Sequence, residues 1–319
     1  MSDPPVDLER LRRYALSDRK NLVAAADFSR AVPASASARE LLRSIPRIHA
    51  GKRFADLVDA IVAARRRGAP VVFGIGPHVL KCGLSPLVVD LMERGVVTGV
   101  AMNGAGAIHD YEIALIGATS EDVAEALRDG SFGMARETAE FVGATARKAA
   151  ASRAGLGAEM GRAILAARLP HESKSVLAAG SRLGVPVTVH VAIGTDTAHM
   201  HPEVDGASLG TASLDDFRSM CSVLARLQHG VFVNVGSAVI LPEIFLKALT
   251  VARNLGSRVD DFTTANMDQI QHYRPRVNVL ERPGEKGLSL TGHHEILLPL
   301  LRFAVIAGME DGGPPGSAR

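Results

Sequence analysis

Apolar residues along this chain fall into two alternating patterns. Short β-branched runs at 70–73, 96–102, 186–193 and 231–235 are bounded by Gly or Pro and show no polar alternation. Runs of that kind form strands buried on both faces, as in a parallel sheet. Longer segments at 54–67, 84–93, 120–127, 134–150, 158–167, 173–183, 214–228 and 242–254 repeat apolar residues every three to four positions, which predicts helices. Strand and helix in alternation predict an α/β fold, a mostly parallel sheet with helices on both faces. Thr119-Ser120-Glu121-Asp122 and Ser213-Leu214-Asp215-Asp216 each combine a hydroxyl cap with carboxylates, and so read as helix starts. Residues 1–50 are polar and Ala-rich and suggest a helical arm or extension; 51–319 read as a single α/β domain.

The 319 residues suffice for a large core, and 47% hydrophobic with 22% charged residues excludes a disordered or fibrous chain. Thirty-six basic and 34 acidic residues are intermixed for a net charge of +2, with 4% aromatic residues and no Trp. That balance argues against a basic nucleic-acid groove with stacking platforms. No apolar run is long enough to span a bilayer, and 1–20 lack the apolar segment of a secretory signal. Two cysteines, Cys82 and Cys221, cannot build a disulfide framework or a four-thiolate zinc site, so a cytoplasmic protein is expected.

Candidate chemistry clusters where strands end, the place at which open parallel sheets bind ligands. The first strand is followed by Gly74-Ile75-Gly76-Pro77-His78 and then Lys81-Cys82-Gly83; the second by Asn103-Gly104-Ala105-Gly106-Ala107-Ile108-His109-Asp110. Glycines there either let backbone amides approach a phosphate or simply make tight turns, and neither loop matches the dinucleotide fingerprint. The third strand leads into Asp196, His199, His201 and Glu203, spaced to chelate a metal or hold a hydroxylated substrate, and the fourth into Gly236-Ser237. Thr264 to Asp268 and His272-Tyr273-Arg274-Pro275 follow. His293, His294 and Glu295 then open an apolar helix, where a charged imidazole is disfavoured and a neutral one serves as a base, a ligand or a cap. The stretch 266–282 reads as a long loop that could cross to a neighbouring subunit.

At these strand ends the chain resembles the deoxyhypusine synthase family from about residue 70 to 306. Gly76, Pro77, His78 and Gly83 correspond to that family's first strand–helix loop, and 100–110 to its second. The 173–200 segment resembles its helix, strand and Leu-Thr-Asp-Gly loop, so Asp196 falls on an aspartate that contacts NAD. Gly236 matches the start of its glycine triplet, Thr264-Ala265 its Asn-Thr-Ala element, and 296–301 its closing helix. The resemblance implies a Rossmann-like doubly wound sheet and NAD as cofactor. Gly76, His78, Asn103, Gly104, Ala105, Gly106, His109, Asp196, Gly236 and Ser237 would line the cofactor. His199, His201, His293, His294 and Glu295 would carry proton transfer, converging on one pocket, in a homotetramer acting on a small molecule.

The chain departs from the family at the chemistry. The Trp-Gly-Lys segment that carries its imine-forming lysine is absent; beyond Lys174 only Lys247 and Lys286 remain. His201 stands where an acidic polyamine contact belongs, and His109 where a carboxylate meets the cofactor ribose. An NAD enzyme that does not make deoxyhypusine is therefore expected. Two readings compete with it: a metal-dependent hydrolase or lyase using Asp196, His199, His201, Glu203 and His293-His294-Glu295, and a non-catalytic assembly protein on the same fold.

Overall fold

The computed structural model describes residues 4–311. Six strands, β1 (Val71–Ile75), β2 (Gly99–Asn103), β3 (Val187–His190), β4 (Val231–Val235), β5 (Thr263–Asp268) and β6 (Gly287–Thr291), form one sheet in the order β3-β2-β1-β4-β5-β6. All five pairings are parallel. The chain thus builds outward from the centre in one direction, returns, and builds outward in the other, with the reversal between β1 and β4. This is the doubly wound Rossmann-like order, and in sheets of this kind ligands bind in the crevice outside the carboxyl ends of the strands at the reversal.

The helices are α1 (Ala38–Ser44), α2 (His49–Arg66), α3 (Pro77–Lys81), α4 (Ser85–Glu93), α5 (Gly104–Ile116), α6 (Val123–Ala126) and α7 (Arg136–Ser152). They continue with α8 (Leu156–Ala167), α9 (Val176–Leu183), α10 (Gly206–Leu224), α11 (Ile240–Asn254), α12 (Tyr273–Pro275) and α13 (His294–Glu310). Alternation along the strands divides the core. Val71, Phe73 and Ile75 of β1 and Val231, Val233 and Val235 of β4 join Leu57 and Ile61 of α2, Val88 of α4 and Leu298 of α13 on one face. Val72 and Phe232 meet Leu224 of α10 and Phe245 and Leu249 of α11 on the other. The Phe232 and Phe245 rings stack there at 4.0 Å, and truncating either to Ala should cost about 3–5 kcal/mol. The same alternation turns Thr188, His190, Asn234, Thr264, Asn266 and Asp268, all buried, toward this second face.

Several expectations are corrected. The second glycine segment is not an extended loop: Gly104 begins α5 directly after β2, because Asn103 caps it through its side chain, accepting the Gly106 N–H at 3.0 Å. Ser213 to Asp216 is not a helix start. Asp205 caps α10 by accepting the Ala207 and Ser208 N–H groups, which leaves Asp215 and Asp216 in mid-helix. Asp216 instead accepts the Gly157 and Val189 N–H groups, each at 2.8 Å, and so ties the start of α8 to β3. Its burial pushes the carboxyl up to about 7, although those backbone bonds oppose the shift.

The 266–282 stretch is not a free loop. It completes β5, then forms α12 and a π-helical turn at Arg276–Glu281, where Val277 and Val279 are buried and Asn278 donates to Glu243 at 2.8 Å. Its His272, Arg276 and Arg282 N–H groups bond to Ile270, His272 and Val277 carbonyls of its own stretch. Residues 4–48 contain three 3-10 turns and α1, and Arg39 and Arg43 of α1 pair with Asp311 at the end of α13. No helix among the described residues is long and apolar enough to cross a membrane.

Candidate functional site

The carboxyl ends of β1 and β4 meet backbone to backbone. A Cβ at Gly76 would overlap the Gly236 carbonyl oxygen, so only glycine fits beside its neighbour here. Gly236 itself takes φ +68°, in the left-handed region, and a side chain there would strike the His294 ring. Beneath this pair Asn234 donates from Nδ2 to the Ser237 carbonyl at 2.9 Å and to Asn266 Oδ1 at 2.7 Å. Its own Oδ1 is buried without a partner. Ser237 is committed to structure: its hydroxyl accepts the Leu241 N–H at 3.2 Å at the start of α11.

Helix α13 follows β6 at the sheet's edge, yet its first residue returns to the centre. His294, 2% exposed, faces the Met267 carbonyl with Nε2 at 3.1 Å. A carbonyl only accepts, so Nε2 carries a proton, and in the neutral tautomer that this selects Nδ1 holds the lone pair. The His78 ring meets that of His294 edge to face at 5.5 Å. His293 stays exposed, with Nδ1 3.8 Å from Glu295 Oε1.

His78 and Cys82 stand one helical turn apart along α3 and its C-cap, so both look the same way. Cys82 Sγ lies 3.2 Å from His78 Nε2 and 3.8 Å from Glu295 Oε2. Burial, and then the Glu295 carboxylate, push the thiol above its ordinary range.

The β2 and β3 ends are arranged differently. Asp196 turns its carboxylate over Gly104, where a Cβ would overlap it. With Asn103 on Gly106, the first turn of α5 is already occupied by the chain's own side chains. Burial raises the Asp196 carboxyl, and the nearby His199 opposes the rise. His199 Nδ1 accepts the N–H groups of Gly194 at 3.0 Å and Asp196 at 3.2 Å, which leaves Nε2 facing Asp196 Oδ2 at 3.8 Å. His201 Nε2 lies 2.8 Å from the Gly133 carbonyl. His109 Nδ1 lies 2.6 Å from the Thr119 hydroxyl, which donates to Glu112.

The candidate histidines therefore serve two places along one sheet edge. His199 and His201 hold the β3 loop to Gly194, Asp196 and Gly133, whereas His294 reaches Met267 and His78. The alternative metal set drawn from spacing does not assemble. Among the described residues, the donor atoms that gather within 4.8 Å of one another belong to His78, Cys82 and Glu295. Asp196, His199, His201 and Glu203 form no such group, since the Asp196 carboxylate lies over Gly104 and His201 turns toward Gly133.

Sequence reasoning did not single out His190 or Asn234. His190 is buried at the end of β3, its Nε2 2.9 Å from the Thr188 hydroxyl and its Nδ1 without a partner. Burial lowers its pKa to about 3, so the ring is neutral. It lines a cavity of about 270 Å³ with Val191, Leu209, Phe217 and Ile244. The available signal was a polar residue inside an otherwise apolar strand, Val-Thr-Val-His and Val-Phe-Val-Asn-Val.

No protein-family model and no curated protein matches the chain by sequence. Solved structures do match it in fold. A conserved LOR/SDH protein of Methanococcus maripaludis S2 aligns with 93% of this chain and 76% of its own, at TM-score 0.51 and 13% identity. The ternary complex of AgrE with ornithine and NAD+ aligns with 84% of this chain at TM-score 0.53 and 12% identity. This chain spans 35% of AgrE's length and 33% of that of ArgZ, a cyanobacterial arginine dihydrolase of similar fold. A deoxyhypusine synthase from Entamoeba histolytica aligns at TM-score 0.49 and 9% identity, too slight a likeness to carry an argument. At these identities the shared property is the Rossmann-like fold.

Proposed function

We propose that this chain is an NAD-binding enzyme acting on a small molecule in the crevice above β1 and β4, and that it does not make deoxyhypusine. The observation that carries the reading is the reversal of strand order between β1 and β4, whose carboxyl ends meet at the Gly76–Gly236 contact, since open parallel sheets bind ligands outside the strand ends at such a reversal. The buried Asn234 Oδ1 beneath it is an acceptor that a carboxamide or hydroxyl could satisfy. Gly76, Gly236 and Asn234 would hold the cofactor, which when bound supplies the hydride acceptor. His294 is the candidate base: the Met267 carbonyl holds its proton on Nε2, so Nδ1 can take one from substrate. The fold shared with AgrE, solved with NAD+, supports the cofactor reading.

The lysines support the departure from deoxyhypusine synthesis. Lys247 pairs with Glu243 and Lys286 with Asp261, and both lysines are exposed, so neither amine is desolvated as an imine carrier requires. Calorimetry with NAD should give one site per chain, and no heat at millimolar NAD would end this reading. Incubation with spermidine, NAD and an initiation factor 5A precursor should leave the precursor's mass unchanged.

A homotetramer remains our proposal for the assembly. Ile193, Met200, Val239 and Ile270 on the connections of the carboxyl edge and Ile296 in the first turn of α13 stand exposed and would be covered in it. A single sedimenting species near 33.6 kDa would exclude it.

A further inference from the structure

We propose that His78, Cys82 and Glu295 form a zinc site at the mouth of the crevice, with the fourth position open to an oxygen of water or of an alcohol or carbonyl substrate. The donor set is one nitrogen, one sulfur and one oxygen, the mixture that borderline-soft Zn2+ accepts. Its spacing fits. Bond lengths near 2.3 Å to sulfur and 2.0–2.2 Å to nitrogen and oxygen place tetrahedral ligand atoms about 3.5 Å apart. The observed 3.2 Å from Cys82 Sγ to His78 Nε2 and 3.8 Å from Cys82 Sγ to Glu295 Oε2 bracket that value, and all three donor atoms lie within 4.8 Å of one another.

The ligands come from two elements 213 residues apart in sequence that the sheet brings together. His78 and Cys82 are set by the single turn of α3, and Glu295 by the second position of α13. The buried His294 ring, packed edge to face on His78, limits the rotation of that imidazole. Such outer contacts orient ligands at metal sites. Three protein ligands with one open position is the arrangement of catalytic rather than structural zinc. Binding converts the Cys82 thiol to a thiolate, with its proton released to solvent.

The test needs neither NAD nor substrate, so it stands or falls apart from the cofactor reading. Chelator-treated protein is titrated with Zn2+ by calorimetry and with Co2+ by absorption spectroscopy. One ion per chain is expected, with a thiolate-to-Co2+ charge-transfer band in the near ultraviolet. Cys82→Ser should abolish that band and weaken Zn2+ binding at least 100-fold, and His78→Ala and Glu295→Gln should each weaken it at least tenfold. Cys221→Ser, in the α10 core, should retain both the band and the affinity. Circular dichroism of the metal-free variants checks that they fold; His78 and Glu295 are exposed, so at least those two keep the test decisive. Absence of the charge-transfer band in wild type, or Zn2+ affinity unchanged by all three ligand substitutions, overturns the site.

Discussion

The two halves of the sheet's carboxyl edge solve the same problem in opposite ways. Above β2 and β3, the chain fills its own helix start: Asn103 takes the Gly106 N–H of α5, the Asp196 carboxylate lies over Gly104, and His199 backs Asp196. Above β1 and β4, backbone meets backbone at Gly76 and Gly236, and the groups around them keep free capacity: the Asn234 Oδ1, the His294 Nδ1, and the His78, Cys82 and Glu295 donors. A glycine beside a helix N-terminus is thus no evidence of a ligand when a carboxylate from the same chain already lies over it. Unpaired buried polar atoms are better evidence, because native interiors rarely leave them unsatisfied; Asn234 Oδ1 is one at β4, and His190 Nδ1 is one at the end of β3.

The contrast can be broken at the glycines. Gly76→Val places a side chain against the Gly236 backbone, which cannot yield, and should cost about 4 kcal/mol or prevent folding, measured by chemical denaturation. Gly104→Ala meets only the Asp196 side chain, which can turn away, and should cost about 1 kcal/mol. Equal costs at the two positions would mean that the β2 end is as rigid as the β1 end.

His190 sharpens it through pH. Its folded pKa of about 3 lies below the ordinary imidazole value, so the folded protein binds fewer protons than the unfolded chain in between. The neutral ring's contribution is complete above about pH 6.5 and is lost as pH falls toward 3. Wild type should therefore lose about 2 kcal/mol relative to His190→Gln between pH 7.5 and pH 5, and a constant difference would refute a buried neutral ring. Comparison with the variant is essential. Asp110 and Asp216, raised by burial to about 6 and about 7, act in the other direction, since their stability is greatest at low pH and is lost as pH rises through those values.

Asp196→Ala should lower stability by about 1 kcal/mol through the lost carboxylate at the N-terminus of α5, with NAD affinity reduced less than tenfold. A larger fall in calorimetry would show the cofactor extending over α5, as the sequence resemblance implies for Asp196. Lys286→Ala removes an exposed pair with Asp261 and should change stability by less than about 0.5 kcal/mol, with no effect on NAD binding.

The four β-branched runs identified β1 to β4 because strands buried on both faces carry an unbroken apolar signal. β6 was hidden because Gly287-Leu288-Ser289-Leu290-Thr291 is an edge strand with polar positions. The Asn103 cap concealed α5, whose first four residues, Gly-Ala-Gly-Ala, carry no helical periodicity. Asp215 and Asp216 mimicked a cap because side chains that bind backbone N–H groups look alike in sequence whether the partner is the next turn or a strand 27 residues away.

Composition and periodicity by themselves determined the α/β class, the parallel sheet and the gathering of Gly, His and Asp at strand ends, since these follow from local burial patterns. Only the tertiary structure decided which of those residues meet. The strand order places β1 beside β4, and α13 carries His294 and Glu295 back from the sheet's edge to His78 and Cys82. Contacts between elements so distant in sequence are set by how helices and strands pack, and no local pattern of residues encodes that packing.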